Sequence, residues 1–166
     1  MHLVDNILAE TVASLVGIFV GMLAALAVDR HNEHRRNQRR ARTILFSLTQ
    51  ELNENYTTLQ AVKSAYTSTA WGKSFYISTI AWETALASGD LPDVIGFELV
   101  NTISGHYALL VRIRYHVDLL TRLWFAPSEI QGYDEIRQGF VKAILSTMTQ
   151  VNNQHSGVMK LIQQGR

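Results

Sequence analysis

Cysteine is absent from the 166 residues, which excludes a disulfide scaffold, a thiolate metal site and thiol catalysis. Charge is scarce as well: 17% of residues are Asp, Glu, Lys or Arg, and the formal net charge is +1. That balance argues against a nucleic-acid binder working through bulk basicity. Alternating strand patterns of useful length and hairpin dipeptides are missing, so the chain reads as all-α. The chemical motifs are missing too: there is no Gly-rich phosphate loop, no G-x-S-x-G elbow and no zinc-protease helix. No Glu-x-x-His occurs, so a di-metal carboxylate site in a helical bundle lacks its ligand set. Ser and Thr are plentiful, but without a paired base they predict no nucleophile. The expectation is a non-catalytic protein with no cofactor and no metal.

What is present begins with an apolar run. From Thr11 to Val28 the chain has eighteen residues without a charge, close to the roughly 20 that a bilayer core asks of a helix. Six arginines follow at once, Arg30, Arg35, Arg36, Arg39, Arg40 and Arg42, against two acids, Asp29 and Glu33. The N-terminal side carries Asp5 and Glu10 and no Lys or Arg. Because Lys and Arg flanking a span stay on the cytoplasmic side, the pattern predicts the N-terminus outside and residues 29–166 in the cytoplasm. The same arginines are placed to meet anionic lipid headgroups. A cleaved signal peptide is the competing reading, since Ala25-Leu26-Ala27 resembles a processing site; it lacks a basic n-region, and arginines directly after the apolar run oppose translocation. Within the run Ala13, Gly17, Gly21 and Ala25 recur every four residues, a stripe on which another membrane helix can approach the backbone closely.

After the arginines, Ala41, Leu45, Leu48, Leu52, Asn55, Leu59, Val62 and Tyr66 alternate at three- and four-residue spacing, a heptad seam. Nothing between Val28 and Ala41 breaks a helix, so the span can continue into this segment as one long helix. Asn55 at a seam position either fixes register against a second chain or is hydrogen-bonded inside an intrachain bundle, and the helices that follow favour the bundle. Gly72 closes the first helix. A second is expected from Ser74 to Ser88, ending at Gly89. Asp90 and Pro92 open a third that runs to Phe125, and Pro127, with a Ser128/Gln131 capping box, separates it from a fourth. Gly132, Gly139 and Ser146 lie seven apart on one face of the fourth, which predicts close approach of a neighbouring helix. Short loops predict antiparallel neighbours. The organisation expected is residues 1–28 as tail and transmembrane helix, 29–42 as the arginine-rich juxtamembrane segment, and 43–166 as a small antiparallel cytoplasmic bundle of about four helices.

Side chains with chemical potential have plainer roles available. Glu51 and Glu54 read as solvent-facing, and His31 with His34 as headgroup-level polar residues. His106, His116 and His155 each read as an isolated, hydrogen-bonded bundle residue. Arg112, Arg114 and Arg122 are expected to pair with Asp118, Glu83 or Glu98, and Trp71, Trp82 and Trp124 to build the bundle core or its mouth. Residues 29–166 hold 27 charged residues in 138, below the roughly 25% of ordinary chains, which suits a face covered by a partner.

The run Arg39-Arg40-Ala41-Arg42-Thr43-Ile44-Leu45, followed by Leu48, Glu51, Leu52, Asn53 and Asn55, resembles a loose group of uncharacterised bacterial single-span proteins. Their pattern is a span, an arginine cluster and a leucine-rich helix ending in Glu-Leu-x-x-Asn. The resemblance covers residues 10–60 and implies a bacterial inner membrane and no activity. The function expected is that of an accessory or scaffolding subunit docked on other membrane protein subunits. The alternative is a self-associating parallel coiled assembly with a signalling or pore role. Nucleic acid is not expected as a partner.

Overall fold

A computed structural model describes residues 2–67, 75–125 and 131–165, and within them all side chains except those of residues 2–16, 64, 65 and 67. Among the described residues five helices account for the regular structure: α1 (His2–Thr67), α2 (Ile80–Ala87), α3 (Leu91–Ile95), α4 (Phe97–Trp124) and α5 (Tyr133–Gln164). No strand occurs among the described residues. The chain divides into two units, residues 1–40 and residues 41–166.

The first unit is helical throughout its described length. Its apolar side chains from Ile18 to Val28 are all exposed, and a Cβ added at Gly17 or Gly21 would meet nothing within 4 Å. Ala13, the first member of the small-residue stripe, lies outside the residues whose side chains are described, as do all positions of the apolar run up to Val16. Among the described residues, no helix is long and apolar enough to cross a membrane.

The second unit is built on the seam of α1. Leu45, Leu48, Leu52, Asn55 and Leu59 are buried, Val62 half-buried, in one core with Ile103, Leu110 and Ile113 of α4 and Ile144, Val151 and Ile162 of α5. The seam therefore faces helices of its own chain.

Paired contacts fix the helix directions. Leu45 and Leu99 both lie beside Gly165, and Glu51 bonds Tyr107, so α1 and α4 run the same way. Tyr56 stacks on His155, and His116 meets Phe140, so α5 runs against both. The expected antiparallel succession holds for α4 and α5, and α1 and α4, first and third of the four helices expected, run alike as alternation requires. The return lies in the stretch between them: Ser78 lies beside Asn55 and Trp82 beside Tyr107, so residues 75–95, with two short helices, carry the chain back along α1 before α4 starts.

Local chemistry sets the other departures. The second helix begins at Ile80 rather than Ser74: residues 75–79 are non-helical, and Ser78 among them is bound by the Asn55 and Glu51 side chains of α1. The third helix is interrupted at Gly96, whose φ of +87° is open to glycine but strained for other residues. Its N–H closes α3 on the Pro92 carbonyl, and its own carbonyl opens α4 by accepting from Val100. Gly89 ends α2 in the left-handed region, as its position suggested. The last helix starts at Tyr133 after Gly132, another left-handed glycine, with Gln131 in a turn. Gly72, Trp71, Ser74, Pro127 and Ser128 fall outside the described residues. The face of Gly132, Gly139 and Ser146 is exposed, and a Cβ at Gly139 would meet nothing within 4 Å, so among the described residues no helix packs closely there.

Candidate functional site

Glu51, expected in solvent, is 6% exposed and sits at the centre of a polar knot. One carboxylate oxygen accepts the Ser78 hydroxyl at 2.6 Å and the Ala81 N–H at 2.9 Å; the other accepts the Tyr107 hydroxyl at 2.6 Å and the Trp82 N–H at 3.4 Å. Ala81 and Trp82 are the second and third residues of α2, where helical N–H groups have no partner of their own. The residue before α2, Thr79, makes no side-chain cap because its hydroxyl donates to Glu83. A carboxylate from a distant helix therefore does what an N-cap side chain ordinarily does, and its charge suits the positive end of α2.

Burial pushes the Glu51 carboxyl up, but the hydrogen bonds from Ser78, Tyr107, Ala81 and Trp82 outweigh it and hold the group below its usual value. On Tyr107 burial and the Glu51 carboxylate act together and push the phenol far up. Asn55 completes the knot: its side chain donates to the Ser78 carbonyl at 2.7 Å and accepts the Ser78 N–H at 2.9 Å. Three of the four bonds to the carboxylate hold the returning segment and the fourth ties it to α4, which is a structural role. Glu54 is exposed, as expected.

A second polar group lies between α1, α4 and α5. The rings of His106 and His155 are 5.9 Å apart, and Tyr56 stacks on His155 at 4.1 Å. The Tyr56 hydroxyl and the Gln60 amide both donate to Asn152 Oδ1 at 2.8 Å. His106 is 1% and His155 9% exposed, and Nδ1 of each is buried without a hydrogen-bond partner. Burial, reinforced by the neighbouring His155, lowers His106 to about 4; burial alone lowers His155. Two histidines that read as isolated are thus in contact, and neither is fully hydrogen-bonded.

The remaining candidates are dispersed. Arg114 meets Glu83 only through Thr79, donating to its hydroxyl at 3.2 Å, while Arg112 and Arg122 are exposed. Trp82 is buried and stacked on Tyr107, whereas Trp124 is more than half exposed and does not build the core. His34 hydrogen-bonds Gln38 one turn away. Arg30, Arg35, Arg36, Arg39, Arg40 and Arg42 lie on α1, and all of their side chains are exposed. Among the described residues no group of three or more His, Asp or Glu gathers as a metal site. An open groove of ≈ 670 Å³ runs between α4 and α5 over Gly105 and Gly157, walled by Asn101, Thr102, Gln154 and Lys160.

Glu51 and the histidine pair are buried polar groups whose setting sequence reasoning missed. A signal for Glu51 exists in retrospect: Glu51 and Asn55 are one turn apart and flank the buried seam, which places two polar groups beside a face that must be covered. For His106 and His155, 49 residues apart, no local signal exists. Comparison with protein-family models, curated proteins and solved structures finds no match to this chain.

Proposed function

We propose that this chain is a single-pass membrane protein that serves as an accessory or scaffolding subunit, with its N-terminus outside and its helical bundle on the cytoplasmic side of a bacterial inner membrane. The observation that carries the reading is the all-round exposure of Ile18, Phe19, Val20, Met22, Leu23, Leu26 and Val28. A helix apolar on every face needs lipid or protein around it. The uncharged run of residues 11–28 and the six arginines after it agree with a span and set its direction. Gly17, Gly21 and Ala25 leave a small-residue stripe for a helix of another subunit.

The bundle adds a second surface. On α4, Ser104, Ala108, Val111 and Tyr115 are exposed at alternating four- and three-residue spacing, an uncharged stripe suited to a partner. The commitment of the Glu51 carboxylate to structural bonds favours a binding role over catalysis. The self-associating alternative would have to rely on the stripe of α1, since Leu45, Leu48, Leu52 and Leu59 are spent within the chain.

The test is the double substitution Gly17→Leu with Gly21→Leu, followed by mild-detergent extraction and native separation with mass spectrometry. The wild-type chain should migrate with larger subunits; the variant should stay membrane-inserted and migrate free of them. Unchanged co-migration of the variant would remove the docking role from the stripe.

A further inference from the structure

Among the described residues, the buried imidazoles of His106 and His155 form a pair of chemically competent side chains that neither the bundle nor the proposed docking role uses. An imidazole nitrogen buried without a partner is unfavourable, and here two of them occur on neighbouring rings. With a metal–nitrogen bond of about 2.0 Å, an imidazole centroid sits about 3 Å from the ion, so two rings on one ion have centroids up to about 6 Å apart. The observed 5.9 Å lies at the open end of that range, which suits a wide nitrogen–metal–nitrogen angle.

A third donor is available on α5. Met159 follows His155 by one helical turn, is half-buried and packs against the core. Long side chains on a helix lean toward its N-terminus and cover the preceding turn, which for Met159 is the turn of His155. The thioether selects soft ions and copper(I) above all, and imidazole is compatible with copper.

The surroundings select the ion's charge. Tyr56 stacks on His155, Asn152 is occupied by Tyr56 and Gln60, and among the described residues no Asp or Glu joins the two histidines in a cluster of three. A divalent ion buried there would be uncompensated. Neutral imidazoles and a thioether can hold a monovalent ion at smaller desolvation cost. The geometry points to a copper(I) site formed by His106 of α4 and His155 of α5, with the Met159 thioether as third donor. Such a site would tie α4 to α5 at the level where both meet α1, and goes beyond the accessory role.

Full-length protein in detergent is titrated with copper(I), kept reduced by ascorbate and competed with a chromogenic copper(I) chelator; silver(I) serves as a redox-inert control. One ion per chain is expected. Removing an outer partner of a metal ligand costs about 10–100-fold in affinity, so His106→Gln and His155→Gln should each lose at least that much. Met159→Leu, which conserves volume, should weaken binding less, and His116→Gln should leave it unchanged. Far-UV circular dichroism confirms that each variant is folded; if a glutamine variant unfolds, the Met159→Leu result and the histidine ring NMR shifts on silver(I) addition decide. Absence of stoichiometric binding, binding that follows His31 and His34 instead, or zinc(II) held more tightly than copper(I) would each overturn the site.

Discussion

Tyr107 and Glu51 meet in the middle of the bundle through a hydroxyl donating to a buried carboxylate, and this bond can be removed without changing shape. Tyr107→Phe should destabilise the chain by about 1.5–3 kcal/mol at neutral pH, the range for a hydrogen bond to a charged group, read as a lower urea midpoint. The effect has a definite pH dependence. The folded-state value of Glu51 is depressed, so its stabilisation is present above the unfolded carboxylate value and is lost as pH falls through the folded one. The difference between wild type and Tyr107→Phe should therefore narrow on acidification; a constant difference would mean that the hydroxyl does not act on the ionised carboxylate. His106 works in the same direction. With a folded value of about 4 against 6.5 unfolded, it makes the unfolded state the stronger proton binder between those limits, so stability falls as pH drops from 6.5 toward 4. A glutamine at position 106 should flatten that part of the profile. Neither residue's setting could be read locally, since the partners of Glu51 lie 27 to 56 residues downstream and hydrophobic periodicity carries no record of such pairings.

Among the elements, the long ones were legible and the short ones were not. The seam of α1 and the apolar stripes of α4 and α5 repeat often enough for periodicity to reveal them, and Leu45, Leu48 and Leu52 are buried as the pattern requires. Residues 75–96 are different. Ser78 has apolar neighbours at helical spacing, yet bonds to Asn55 and Glu51 hold it out of the helix, a tertiary override of local pattern. Gly96 divides what reads as one helix because its backbone angles suit glycine. Gly96→Ala meets no steric obstacle, so its cost is conformational alone and should be about 1–3 kcal/mol. Urea unfolding checks it: a neutral or stabilising result would mean that α3 and α4 join as a continuous helix.

For the whole molecule, the absence of cysteine makes orientation directly measurable, because each introduced thiol is the only one. Asn6→Cys should react with a membrane-impermeant maleimide in intact cells, and Gln50→Cys, at an exposed position on α1, only after permeabilisation. The reverse pattern would invert the proposed topology, and labelling of both in intact cells would remove the anchor. The class of the fold and the alternating directions of its long helices were legible from composition and short connections, but the division of the return through residues 75–95 into two short helices was not.

The shared direction of α1 and α4 has a consequence during biosynthesis. Leu45 meets Leu99 and Gly165, residues made 54 and 120 positions later. At about 5–20 residues per second, the leucine face of α1 stays incompletely covered for roughly 6 to 24 s after it is synthesised. Over that interval the nascent chain presents a partly uncovered heptad stripe to any chaperone or neighbouring chain.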